Sequence, residues 1–311
     1  VHVETLKIKN MKWLICVIFI CGILNEVKAQ SYDKFLDRLL DYQKHVRVKD
    51  SLINGKYIAS IDTNTFDLKD YMSIFSKLTP EPGYIIEYIY DAGWDGAVPL
   101  LYAWRENLNK EEYISAEKER IIRKCDSTIN ERVEKIRRED LEKDAKIKKI
   151  ERTKRIFTNS RELSCKRILH SFALDSANHA AFHLTPQDNK MGYLQLLIFK
   201  LYGNNFALWW HANYGYRFPV YKKEQIEFLI KKNRENDFSI YFMEKEIRPL
   251  LTAKLKPQIK MERTRCVISL YVFYAGSGLY RKTYSISRTN PYLITEKKSE
   301  KLVSNSFHGF F

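Results

Sequence analysis

Between positions 32 and 40, Tyr32, Phe35, Leu36, Leu39 and Leu40 recur at three- and four-residue spacing, which puts them on one face of an amphipathic helix. A second helix is expected from Asp67 to Leu78, with Asp67 as the N-cap and Pro80 just past the end. The pattern then changes period. GYIIEYIYDAG reads as a strand bounded by Gly83 and Gly93, and AVPLLYAW as its partner through the turn at 93–96, with Pro99 restricting that partner to a sheet edge.

Residues 105–157 lack Gly and Pro and are built from Glu, Lys, Arg and Ile. A sparse stripe of Ile114, Ile122, Cys125, Ile129, Val133, Ile136, Ile147 and Ile150 fits a long helix. One unbroken helix over 109–156 would reach about 72 Å and would have to project as an arm. A break near Asp126-Ser127 would give a helical hairpin instead, because Thr128-x-x-Glu131 has capping-box spacing.

Beyond 158 the readings alternate. RILHSFALD and NHAAFHL suggest a β-hairpin turned at 175–178. YLQLLIFKLY suits a buried helix or a strand, and NFALWWHANY reads as a strand after Gly203. KKEQIEFLIKKN is a short amphipathic helix. RCVISLYVFYA and LYRKTYSIS, separated by Gly276-Ser277-Gly278, form the clearest hairpin. The resulting fold class is α+β: an antiparallel sheet with flanking helices and a long charged helical arm or hairpin. The organisation expected is an upstream extension and leader (1–29), an N-terminal segment (30–104), a charged helical arm (105–157) and a β-rich C-terminal segment (158–311) that shares a domain with 30–104.

The leader changes the setting. Met11-Lys12 precedes the apolar run Trp13 to Leu24, and Val27-Lys28-Ala29 ends in a small residue before Gln30. This order is that of a secretory signal peptide, and twelve apolar residues would span only about 18 Å of a bilayer core near 30 Å. Cys21 is not preceded by a small residue, which disfavours lipidation. A bacterial periplasmic or secreted protein is therefore expected, with no transmembrane span once the leader is removed. An oxidising compartment permits one disulfide among Cys125, Cys165 and Cys266. Cys165–Cys266 is the favoured pair, because Cys125 lies in the charged helical stretch, and three unpaired thiols is the competing reading.

Charge is strongly positive: 53 Lys and Arg against 38 Asp and Glu, a formal net of +15 in 311 residues. With 45% hydrophobic residues the chain is too apolar for wholesale disorder. Arg248, Lys254, Lys256, Lys260, Arg263 and Arg265 crowd one stretch opposed locally by Glu262. Such a surface suits an anionic glycan, an envelope component or a partner protein. Export and the lack of a nucleic-acid fold signature argue against nucleic acid.

Candidate chemistry is sparse. There is no CxxC, HExxH, GxSxG, Walker loop or GxGxxG, so no cofactor is expected. His179-x-x-x-His183, with Asp175 one turn earlier, has a usable metal-ligand spacing only if the segment is helical. Glu87, Asp91 and Asp95 surround a turn beside Trp94 and could serve a glycan-directed hydrolase as acid and base. The densest aromatic segment, 206–221, contains Trp209, Trp210, His211 and Tyr214. If it is a strand, the adjacent indoles point to opposite faces, and one of them could contact a sugar ring or a partner protein. The favoured reading is a non-enzymatic binding or interaction module of the cell envelope that binds through Trp209, Trp210, His211 and Tyr214; the hydrolase is the rival.

Overall fold

A computed structural model describes residues 31–45, 67–93, 96–206, 217–235, 241–275 and 277–305. Residues 1–29, where a leader is expected, and the aromatic run at 207–216 lie outside the described residues.

The first helix, α1 (Tyr32–His45), follows its sequence period: Phe35, Leu36 and Leu39 are completely buried. Helix α2 spans Leu68–Ile74, and the Asp67 side chain accepts a hydrogen bond from Lys69 N at 2.7 Å, as the cap requires. It stops four residues earlier than its sequence suggests. The chain leaves the helix at Phe75, and Leu78–Pro80 becomes strand β1, paired antiparallel with β4 (Leu184–Pro186). Distant partners replace the missing helical bonds. Lys77 N donates to the Gln195 side chain at 2.7 Å, and Lys77 O accepts from Gln187 N at 2.9 Å.

Strands β2 (Tyr84–Gly93) and β3 (Gly96–Arg105) form the expected antiparallel ribbon, registered from Tyr84 opposite Arg105 to Gly93 opposite Gly96. Pro99 is tolerated because each strand of a two-stranded ribbon has one open edge.

The charged zone is a helical hairpin of α3 (Lys110–Arg137) and α4 (Lys143–Lys166), with α3 capped by Asn109. The helices are about 42 and 36 Å long. The turn falls at 138–142, not at Asp126-Ser127. Thr128 Oγ1 donates to Lys124 O at 2.9 Å and Ser127 Oγ to Glu131 Oε1 at 3.3 Å, so both hydroxyls are satisfied inside the helix and break nothing.

The β-hairpin expected around Asp175 is also replaced. Ile168–Leu174 is helix α5, followed by 3-10 turns at Ser176–Asn178 and Ala180–His183. The apolar positions 168, 169, 172 and 173 suit a helix face as well as a strand, and packing against the β2–β3 ribbon selects the helix. Helix α6 (Lys190–Tyr202) settles the ambiguous YLQLLIFKLY. It is apolar nearly all round because it is buried nearly all round. Gly192 is required there, since a Cβ would run into the backbone of Gln187.

Strand β5 (Arg217–Val220), helix α7 (Lys223–Arg234), helix α8 (Glu244–Ile247) and strands β6 (Gln258–Met261), β7 (Arg265–Tyr274), β8 (Gly278–Ser287) and β9 (Ile294–Ser304) complete the chain. The last five strands make an antiparallel sheet in the order β5-β7-β8-β9, with β6 also on β7. The architecture is thus α+β, with eight α-helices among the described residues.

Three apolar clusters hold it together. The largest joins α1, α2 and α6 to the inward side chains Ile268, Leu270 and Val272 of β7. A second places Ile226 and Leu229 of α7 and Ile247 of α8 against Phe273, Leu279 and Val303. The third seats α5 on Ile89, Tyr102 and Trp104. No disulfide joins Cys165 to Cys266: both are free thiols, as is Cys125. Cys165 lies on the arm, whereas Cys266 lies inside the main cluster beneath α6. Among the described residues, no helix is long and apolar enough to cross a membrane.

Candidate functional site

The arm is unusual in how little it buries. Only Val133 and Ile136 of α3 are fully covered, and α4 buries nothing. Arg161 of α4 reaches Asp126 of α3 at 3.2 Å, Arg132 of α3 lies over the Phe157 ring of α4 at 5.3 Å, and Lys149 pairs with Glu139 in the turn at 2.5 Å. Ile147, a member of the sparse apolar stripe, is 46% exposed.

The helices differ in charge. α3 carries eight basic and seven acidic residues, and α4 nine basic and three acidic. On α3, Arg120, Arg123 and Arg137 pair with glutamates one turn away. On α4, Lys148, Arg152, Lys154 and Arg155 form no ion pair among the described residues. Self-neutralisation along α3 thus leaves the positive potential of the hairpin on α4.

Where the arm meets the body, α3, α4 and α5 enclose a cleft of about 460 Å³. Its aromatic side is Tyr113 and Phe172, whose rings are 5.4 Å apart and both contact Trp104. Arg120 and Arg167 line it as cations, and Glu117 and Asp175 as carboxylates. Arg120 Nε is bonded to Glu117 at 2.9 Å, and Asp175 Oδ1 caps Ala177 N at 2.9 Å. Arg167 Nε is closed off from solvent and has no acceptor.

Of the described candidate residues, Asp175 lines this cleft, whereas Glu87, His179 and His183 do not. Trp209, Trp210, His211 and Tyr214 lie outside the described residues. The flanking Phe206 is fully buried and stacked on Tyr71 at 4.0 Å. Glu87 accepts from Tyr102 OH and from Lys110 Nζ, each at 2.8 Å, which ties β2 to the start of α3. Asp91 sits four residues along the same strand, about 13 Å away at the backbone; Asp95 is outside the described residues.

The histidines are parts of turns. His179 Nδ1 accepts from Ala181 N at 3.1 Å. Burial, then the nearby Lys200 ammonium, pull its pKa down to about 4. His183 lies 3.3 Å from Glu81 through Nδ1 and 2.8 Å from Ala177 O through Nε2. The segment is neither the long helix nor the strand considered from its sequence. Among the described residues, no group of three His, Cys, Asp or Glu is placed to hold a metal ion.

The basic run at 248–265 is mostly neutralised, by two nearby carboxylates and one distant one. Arg248 pairs with Glu244, Lys256 with Asp33, and both Lys260 and Arg265 with Glu262. Local sequence shows only Glu262, because Asp33 arrives by folding from the other end of the chain. The cleft itself escapes sequence reading, since its lining is spread from Tyr113 to Asn178 with no motif spacing.

Comparison of the chain with protein-family models, curated proteins and solved structures gives no match.

Proposed function

We propose that this protein is a non-enzymatic interaction module that works outside the cytoplasm and presents the α3–α4 arm to a polyanionic component of the cell envelope. One observation carries the reading: α4 buries no residue yet holds nine cations against three carboxylates. A helix that contributes so little to the core has its exposed face free for a partner. Four cations within Lys148–Arg155 that are unpaired among the described residues create a potential that attracts anionic glycans or lipid-linked phosphates. The N-terminal leader pattern supports the location. Trp209, Trp210, His211 and Tyr214 remain candidates for contacts beyond charge, since a single exposed indole suits a sugar face.

Chromatography on immobilised heparin, used as a model anionic glycan, tests the reading. Wild type should elute well above physiological salt. The variant Lys148→Glu, Arg152→Glu, Arg155→Glu should elute at less than half that concentration with an unchanged far-UV spectrum. Equal elution of the two proteins would remove the arm as the binding surface. A native chain recovered with residues 11–29 still attached would remove the location.

A further inference from the structure

The cleft at the root of the arm contains a guanidinium with an unmade bond. Arg167 occupies the junction between α4 and α5, where its backbone N–H closes the last turn on Leu163 O and Ser164 O. Its side chain forms no ion pair among the described residues, and its Nε is buried without an acceptor. A buried donor left unpaired is costly, more so when it carries charge. With Nε closed off, a ligand in the cleft meets this guanidinium at its terminal nitrogens, and a planar, two-oxygen acceptor fits that edge best.

We propose that this cleft binds a small ligand bearing one carboxylate, anchored on Arg167, with its apolar part against Tyr113 and Phe172. The local charge selects a monoanion. Arg120 is already neutralised by Glu117, and Asp175 is present as a second carboxylate, so Arg167 is the one cation left to be matched. A dianion such as phosphate would face two carboxylates with a single free cation, which is unfavourable. The volume, about 460 Å³, lies within the usual range for small-molecule sites, roughly 300–1,000 Å³. Tyr113 and Phe172 are both half-buried and meet edge to face, a pairing that a flat ring can extend. Because the lining comes from α3, α4 and α5, a bound ligand joins the arm to the body. The site is separate from the exposed cations of α4, so this inference does not depend on the polyanion reading.

Titration calorimetry with benzoate, on the full chain, is the test, with inorganic phosphate as the comparison. Wild type should bind benzoate saturably and at least tenfold more tightly than phosphate. Arg167→Gln should weaken benzoate at least tenfold, and Arg167→Lys, which keeps charge but loses the fork, less than that. Ser171→Trp, which fills the cleft from α5 and leaves the Arg167 residue itself unchanged, should abolish binding even if Arg167→Gln proves unstable. Lys298→Gln on β9, which does not line the cleft, should leave benzoate binding unchanged. Absence of saturable benzoate binding by wild type would overturn the proposal, as would binding unaltered by Arg167→Gln or by Ser171→Trp. Tighter binding of phosphate through Arg167 would overturn the ligand class.

Discussion

The phenol of Tyr71 on α2 donates a hydrogen bond to the carbonyl of Gly203 at 2.8 Å, in a fully buried setting, across 132 positions of sequence. Gly203 ends α6, whose last turn has carbonyls with no helical partner, so the tyrosine closes that helix from outside it. The same ring stacks on Phe206 and meets Phe75 edge to face. Tyr71→Phe keeps those ring contacts and removes only the hydroxyl. It should cost about 1–2 kcal/mol, the usual consequence of leaving a buried carbonyl unpaired. Urea unfolding would check it, and a midpoint equal to wild type would show that the bond contributes nothing.

Acid should weaken the fold through His179. Its native pKa is depressed to about 4, by burial first and Lys200 second, against an ordinary value of 6.5. The unfolded chain therefore takes up a proton before the native one does. The stability linked to this group is complete above about pH 6.5, falls as pH drops towards 4, and levels off below that. His179→Asn can still cap Ala181 N through its side-chain oxygen but does not titrate. Its loss of stability between pH 7 and 4 should be smaller than wild type's, by an amount of order 1–3 kcal/mol. Parallel pH profiles for the two proteins would refute this assignment.

Thiol chemistry should separate the arm from the core. Burial pushes the Cys266 thiol up to about 11, and the residue is inaccessible beneath α6. Cys125 and Cys165 are partly exposed on the hairpin. Iodoacetamide at pH 8 should label the two arm cysteines of the folded protein and spare Cys266, which should react only in denaturant. Mass analysis of peptides gives the answer; rapid labelling of Cys266 under native conditions would show that the main cluster opens readily.

Periodicity alone located several elements. The face of α1 that carries Phe35, Leu36 and Leu39, the Asp67 cap, the β2–β3 ribbon, α7 and the β7–β8 hairpin are all readable, since each depends on neighbours within a few residues. The misplacements share one cause. Residues 75–78 left α2 because Gln195 and Gln187, more than a hundred positions away, satisfy the backbone of Lys77. The 168–186 segment became α5, two turns and β4 because the ribbon and β1 offered partners that short apolar runs do not encode.

Sequence by itself determined the α+β class, the positive charge, the charged helical zone and the leader pattern, because composition and local period are properties of neighbouring residues. Tertiary structure alone decided where the arm turns, which cations of the 248–265 run find carboxylates, and that Arg167 remains unmatched in a cleft built by three helices. Those outcomes depend on distances between groups far apart in the chain, and charge pairing and burial are set by distance in space.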